Sequence, residues 1–190
     1  ELPFRLLCRR YGASLAYTPM LNSERFAEDP DYRRREFQCT PEDRPLVVHF
    51  SANKPDAFLK AARFVEDACD AIDLNLGCPQ RVAAQGHFGS FLLDEADRPL
   101  VLKMVRTLSS SLSIPVFVKI RLLSTLPETI RLVEQLRDAG AALVAIHARH
   151  RVDLTKRSGP GARDGPALLD QVTAIKEAVS GVQIISNGNI

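Results

Sequence analysis

The chain lacks most of what would tie it to a membrane, a metal or an extracellular setting. No apolar run in its 190 residues reaches the roughly 18–20 residues needed to cross a bilayer, so no membrane partner is expected. The opening Glu1-Leu2-Pro3-Phe4-Arg5 lacks the basic region and long apolar stretch of a secretory signal. It also lacks an initiator Met, which predicts a start inside a longer protein. The four cysteines, Cys8, Cys39, Cys69 and Cys78, contain no CxxC pair, which argues against a zinc site or a thioredoxin-like motif. Their irregular scatter does not form a disulfide scaffold. Free thiols, no metal and a reducing, cytoplasmic compartment are therefore expected, with nucleus and mitochondrion left open. The net charge is only +2, too small to argue for nucleic-acid binding by itself. Low-complexity segments and interdomain linkers are absent as well, so residues 1–190 read as a single domain.

What charge there is lies unevenly. Arg33-Arg34-Arg35 is a basic run, and Arg149, Arg151, Lys156, Arg157 and Arg163 crowd one segment. Such groups read either as solvated surface or as contacts to phosphates, which would make binding salt-dependent.

A unit repeats along the chain: a short β-branched run, a loop, then a helical pattern. The expected strands are Leu15–Pro19, Leu46–Ser51, Ala71–Leu76, Val116–Leu122, Leu143–His147 and Val182–Ser186. Each is almost wholly apolar, as suits a parallel sheet buried on both faces. Helices are expected over Pro3–Tyr11, Pro55–Ala68, Pro99–Leu112, Pro127–Ala139 and Pro166–Val179, from apolar residues at three- and four-residue spacing. Gly140 stands as the stop for the fourth of these. Alternating strands and helices allow an open doubly wound sheet or a (β/α)₈ barrel. Polar residues collect where strands end: Asn75 and Cys78, Lys119 and Arg121, His147 and Arg149, Asn187 and Asn189. A barrel brings all such ends to one rim, where active sites are built, whereas an open sheet offers mainly one switch point. The expected fold class is therefore α/β, a (β/α)₈ TIM barrel. It is read as partial, without its first and last strands, because a full barrel needs about 250 residues.

The most informative stretch is Asp73-Leu74-Asn75-Leu76-Gly77-Cys78-Pro79-Gln80, followed by Gly86-His87-Phe88-Gly89-Ser90-Phe91-Leu92-Leu93. Gly77 lets the backbone turn sharply, and Pro79 stiffens the exit. The later glycines are read as allowing close approach of backbone to a ligand. A lone cysteine is usually structural, but one held between Gly and Pro on a catalytic rim is a candidate for chemistry.

These segments closely resemble the signature of tRNA-dihydrouridine synthases. The resemblance extends through Leu2-Pro3-Phe4-Arg5, Leu15-Ala16-Tyr17-Thr18-Pro19-Met20, Val118-Lys119-Ile120-Arg121, Ile146-His147-Ala148-Arg149 and Ser186-Asn187-Gly188-Asn189-Ile190. The Cys-Pro-Gln and Leu-Pro-Phe-Arg segments are most similar to the eukaryotic-like branch acting near the start of the D-loop. The resemblance implies an FMN-bound barrel, reduced by NADPH or NADH, that converts uridine in tRNA to dihydrouridine by adding a hydride at C6 and a proton at C5. It implies Cys78 as the proton donor, acting as a thiol, with Asn75 and Arg149 contacting the RNA substrate. It further implies a flavin site made of Pro19, Met20, His49, Lys119, His147, Asn187, Gly188 and Asn189. His49 departs from the usual Gln of that segment, although it too can donate or accept a hydrogen bond. A helical domain that grips tRNA normally follows such a barrel, and it is not expected within these residues. Two other readings stand beside this one: an FMN barrel oxidoreductase acting on a small pyrimidine or enone, and a non-catalytic RNA-binding relative.

Overall fold

The computed structural model describes residues 1–151 and 165–188. Lys156, Arg157, Arg163 and Asn189, singled out above, lie outside the described residues. Seven strands make one parallel sheet: β1 (Ala16–Tyr17), β2 (Leu21–Asn22), β3 (Leu46–Ser51), β4 (Ala71–Leu76), β5 (Val116–Leu122), β6 (Ala141–His150) and β7 (Gln183–Asn187). Their order is β1-β3-β4-β5-β6-β7, with β2 also pairing β3. From β3 onward, strands that follow one another in the chain are neighbours in the sheet, with β1 and β2 both on the outer side of β3, so the order never reverses. A doubly wound sheet reverses at its switch point, so this arrangement is a section of barrel wall.

Side chains alternate across that wall, as the pleat requires. Leu46, Val48 and Phe50 of β3, Ile72, Leu74 and Leu76 of β4, Val116, Val118, Ile120 and Leu122 of β5, and Val144, Ile146 and Ala148 of β6 all enter one buried apolar cluster. The helices complete it from outside: α4 (Pro55–Arg63) with Phe58, Ala61 and Ala62, α6 (Arg98–Ser111) with Met104, Val105 and Leu108, α7 (Leu126–Asp138) with Leu132, Val133 and Leu136, and α8 (Leu169–Ala178) with Val172 and Ile175. Thr125 starts α7 with a reciprocal capping box to Glu128, which satisfies two otherwise orphaned backbone donors. Helix α1 (Leu2–Arg10) is fastened differently. Arg5 is buried and donates through Nε and Nη2 to Asp43 at 2.8 and 2.6 Å, and Arg9 reaches the same carboxylate at 3.3 Å.

The structure departs from the sequence reading in several places. The expected strand Leu15–Pro19 is shortened to Ala16 and Tyr17, which pair with Leu46 and Val47, and an unforeseen short strand follows, in which Leu21 and Asn22 pair with Phe50 and Ser51, leaving Thr18–Met20 between. The expected long helix after β3 stops at Arg63, and a 3₁₀ turn over Glu66–Ala68 carries the chain into β4. The last helix begins at Leu169 rather than Pro166. Helices α2 (Ser23–Glu28) and α3 (Pro30–Glu36) and the short α5 (Arg81–Gln85) were not foreseen. Asn22 caps α2 by accepting from the backbone N–H of Arg25, and Asp29 caps α3 by accepting from those of Asp31 and Tyr32. The basic run Arg33–Arg35 therefore lies on α3, where Arg33 sits 4.0 Å over the Phe64 ring while Arg34 and Arg35 are exposed. All four cysteines are free thiols. Among the described residues no helix is long and apolar enough to cross a membrane, and no cluster of His, Cys, Asp or Glu could hold a metal.

Candidate active site

The strand face turned away from the helices carries the polar side chains. It receives His49 from β3, Asp73 and Asn75 from β4, Lys119 and Arg121 from β5, and His147 and Arg149 from β6, each the alternate of a core residue. Register then sets them side by side: His49 opposite Asp73, Asn75 opposite Lys119, Arg121 opposite His147, and His147 opposite Asn187. Residues spread over 139 positions, from His49 to Asn187 counted inclusively (187 − 49 + 1), thus share one surface.

Cys78 follows β4 and is held from both sides. The Asn75 side-chain oxygen accepts from the backbone N–H groups of Gly77 and Cys78 at 3.0 and 2.9 Å. The Cys78 carbonyl in turn accepts from the backbone N–H and the hydroxyl of Ser90, both at 3.0 Å. Gly89 makes this possible, since its φ of +66° favours glycine and a Cβ there would meet the Cys78 carbonyl at 2.7 Å. The close approach expected of that glycine is thus to the Cys78 peptide rather than to a ligand. The thiol itself is half-buried. Arg121, nearly buried, ties the same turn to the sheet by donating to the Gly77 carbonyl at 2.9 Å and the His150 carbonyl at 3.0 Å.

Lys119 lies in the middle of β5, not at the strand end where the sequence reading puts it. Its amine is close enough to the Gly77 turn that a Cβ on Gly77 would lie 3.6 Å from Nζ. Burial pushes its pKa below the usual lysine value; the charge of Asp73 opposes that and the charge of Arg121 reinforces it. Among the described residues no carboxylate lies within ion-pair distance of it.

A second cluster forms at the β6–β7 edge. Arg149 donates to the Gly165 carbonyl at 2.8 Å and to Nε2 of His147 at 2.8 Å. A guanidinium can only donate, so His147 accepts through Nε2 and carries its proton on Nδ1. Gly188 closes the cluster with φ +114°, and a Cβ there would fall 2.9 Å from Arg149 and 3.0 Å from the His147 ring. Asn187 is exposed beside it. Pro19 and Met20 are exposed in the break between β1 and β2.

Three site residues carried no role in the sequence reading. Asp73 is fully buried and binds Nδ1 of His49. The Tyr17 ring packs edge-on against His49, and burial together with the Asp73 charge raises its phenol pKa above the ordinary value. Tyr17 Oη and Asp73 Oδ1 are both buried without a hydrogen-bond partner. Arg121 was noted only as a strand-end charge. The signal for Asp73 was present in Ala-Ile-Asp-Leu-Asn-Leu, where two polar residues alternate within an otherwise apolar strand.

The donor set suits a flavin mononucleotide. A half-buried ammonium with no described carboxylate in ion-pair distance lies on the polar face of the sheet beside the Gly77 turn, where it could stabilise negative charge on an electron-rich ring system. The Arg149 guanidinium, a histidine and a glycine whose φ of +114° disfavours any side chain make a corner of the kind that receives phosphate.

The family model described as dihydrouridine synthase (Dus) matches residues 1–190. A tRNA-dihydrouridine(16/17) synthase [NAD(P)(+)]-like protein of Mus musculus is 44% identical over 100% of this chain and 38% of its own length. The tRNA-dihydrouridine(16/17) synthase [NAD(P)(+)] of Saccharomyces cerevisiae is 45% identical over 84% of this chain and 38% of its own. A tRNA-dihydrouridine(20a/20b) synthase [NAD(P)+]-like protein of Homo sapiens is 33% identical over 100% of this chain and 57% of its own. The chain thus spans less than half the length of the (16/17) relatives. Among solved structures, a mandelate oxidase superposes with a TM-score of 0.57 at 19% identity, over 100% of this chain and 53% of that one, a likeness of fold alone.

Proposed function

Because the chain belongs to the dihydrouridine synthase family, we propose that it is part of the catalytic barrel of an enzyme that reduces the C5–C6 double bond of a uridine in tRNA. Identity of 44% to a (16/17) relative against 33% to a (20a/20b) relative supports a target near the start of the D-loop. The observation that carries the reading is the clamping of Cys78. Asn75 holds its N–H and Ser90 its carbonyl, so a half-buried thiol is presented beside Lys119.

FMN, when bound, supplies the hydride, and NADPH or NADH restores it. Lys119 would face its ring system, and His147, Arg149, Gly188 and the neighbouring Asn187 and Asn189 would hold its phosphate end. Pro19 and Met20 offer exposed surface for packing against the ring. Arg149 is also the strand-end cation nearest the rim for contact with RNA phosphates. Asn75 keeps a second amide N–H after serving His49, available to the uracil. Cys78 delivers the Sγ proton to C5 of the base as C6 receives the hydride, so one proton and one electron pair saturate the double bond. Reaching a stacked uridine requires extruding it, at a cost of a few kcal/mol that contacts across a large RNA surface must offset.

The test is a visible spectrum of the purified full-length protein. A flavin band that bleaches with NADPH and recovers on adding unmodified tRNA is expected, with recovery and dihydrouridine formation lost in Cys78→Ala. A full-length protein that stays colourless with added FMN would sink the reading and favour an RNA-binding scaffold.

A further inference from the structure

Strands β3 and β4 bury an aspartate, a histidine and an asparagine in one continuous hydrogen-bonded line. Asp73 Oδ2 meets His49 Nδ1, His49 Nε2 meets Asn75 Nδ2 at 2.7 Å, and Asn75 Oδ1 meets the N–H groups of Gly77 and Cys78. The direction of every bond in this line is determined. Two backbone N–H groups can only donate, so the Asn75 atom facing them is its carbonyl oxygen. Its amide nitrogen therefore faces His49 and donates, and Nε2 of His49 must present a lone pair. The single ring proton is then on Nδ1, donated to the Asp73 carboxylate. Turning the Asn75 amide over would set its NH₂ against two N–H donors, and moving the ring proton to Nε2 would set donor against donor.

We propose that His49 is a positioning residue: held by Asp73 as a neutral imidazole protonated on Nδ1, it fixes the orientation of the Asn75 amide and through it the Cys78 turn. The surroundings lock the ring for this task. His49 is 9% exposed, its backbone N–H donates to Thr18 Oγ1 at 3.0 Å, and the Tyr17 ring lies edge-on at 6.3 Å. Both ring nitrogens are used within the protein, so His49 acts on the site from beneath, through Asn75. Among uncharged side chains, Gln also joins a donor and an acceptor in one group, and it alone comes close to reaching both partners. The catalytic consequence rests on the reading of Cys78 as proton donor; the positioning does not.

Two measurements on the full-length protein test it without calling on activity. Histidine labelled with ¹⁵N is read by long-range ¹H–¹⁵N correlation at neutral pH, with the His49 signals assigned by their loss in His49→Gln. A protonated Nδ1 and a bare Nε2 are expected in the wild type, with both nitrogens protonated in Asn75→Asp, where a carboxylate faces Nε2. A proton on Nε2 in the wild type overturns the proposal, and this reading needs only the conservative His49→Gln variant, for assignment. The second measurement is the rate of Cys78 alkylation by iodoacetamide. His49→Leu is expected to change it roughly fivefold to tenfold, as befits a turn that has lost one ordering hydrogen bond, with His49→Gln close to wild type. Equal rates in His49→Leu and the wild type, with His49→Leu still folded by its thermal melt, overturn the positioning role even if the tautomer is as stated.

Discussion

Gly89 packs so closely on Cys78 that a Cβ on the glycine would lie 2.7 Å from the cysteine carbonyl oxygen and 2.9 Å from its Cβ. The two segments of the Gly-Cys-Pro…Gly-Ser pattern are thus halves of one clamp. Backbone oxygen cannot move aside as a side chain can, and φ at Gly89 is +66°. Gly89→Ala is expected to cost about 2 kcal/mol and to loosen Cys78. At Gly86 φ is −85°, and a Cβ would meet the Phe88 ring at 2.8 Å, which can swing away, and the Val82 carbonyl oxygen at 3.2 Å, a milder contact than the one at Gly89. Urea denaturation of the two alanine variants should rank Gly89→Ala well below Gly86→Ala.

Lys119 is expected to trade stability for ligand binding. Its lowered pKa means that folding disfavours the ammonium, and the charge of Asp73 offsets its burial only in part. Lys119→Met should leave the flavin-free protein as stable as before or up to about 1 kcal/mol more stable. The same variant should retain much less FMN on gel filtration. A variant both less stable and undiminished in flavin would assign Lys119 to the core instead.

Cys69 gives stability a pH dependence with a defined sign. Burial pushes its thiol up to about 12, while an unfolded thiol ionises near about 8.5. Between those values the folded chain binds the proton that the unfolded chain releases, so this contribution is complete below about 8.5 and declines as pH rises toward 12, by at most about 1.4 kcal/mol per pH unit. Denaturation midpoints taken from pH about 8 to 10 should fall less steeply in Cys69→Ala than in the wild type. Lys119 shifts the curve the other way, but equally in both proteins.

Asp43 is fully buried and serves both Arg5 and Arg9. Asp43→Ala leaves a buried guanidinium without its anion and is expected to cost about 3 kcal/mol. Replacing Arg5 by Met in the same chain should recover part of that loss, which a double-mutant cycle measures.

Much of this fold was legible in the sequence because parallel strands buried on both faces write themselves as Val-, Ile- and Leu-rich runs. Leu46–Ser51, Ala71–Leu76 and Val116–Leu122 are strands with the boundaries expected of them. What escaped was short and held by tertiary contact. Helix α2 has barely a turn and a half, and Phe26 seats it against Phe50 with ring centroids 5.3 Å apart. Asp29-Pro30 is a readable helix start, but the five charged residues around Tyr32 (Asp31, Arg33, Arg34, Arg35 and Glu36) give no apolar periodicity to follow it. The site divides the same way. Cys78, Asn75, Lys119 and His147 stand out by residue type, whereas the partnership of His49 with Asp73 depends on lateral register between strands, which no local pattern states.

The strictly parallel ladder also governs how the chain must assemble in time. Partners in the sheet are far apart in sequence: His49 and Asp73 by 24 positions (73 − 49), Asn75 and Lys119 by 44 (119 − 75), Ala145 and Ile185 by 40 (185 − 145). Among the described residues every strand pairing is parallel, so no hairpin nucleates this sheet locally, and each pairing waits on a loop closure whose entropy must be overcome before any ladder bond repays it. The polar face of the barrel wall thus exists only once these distant rows have come into line.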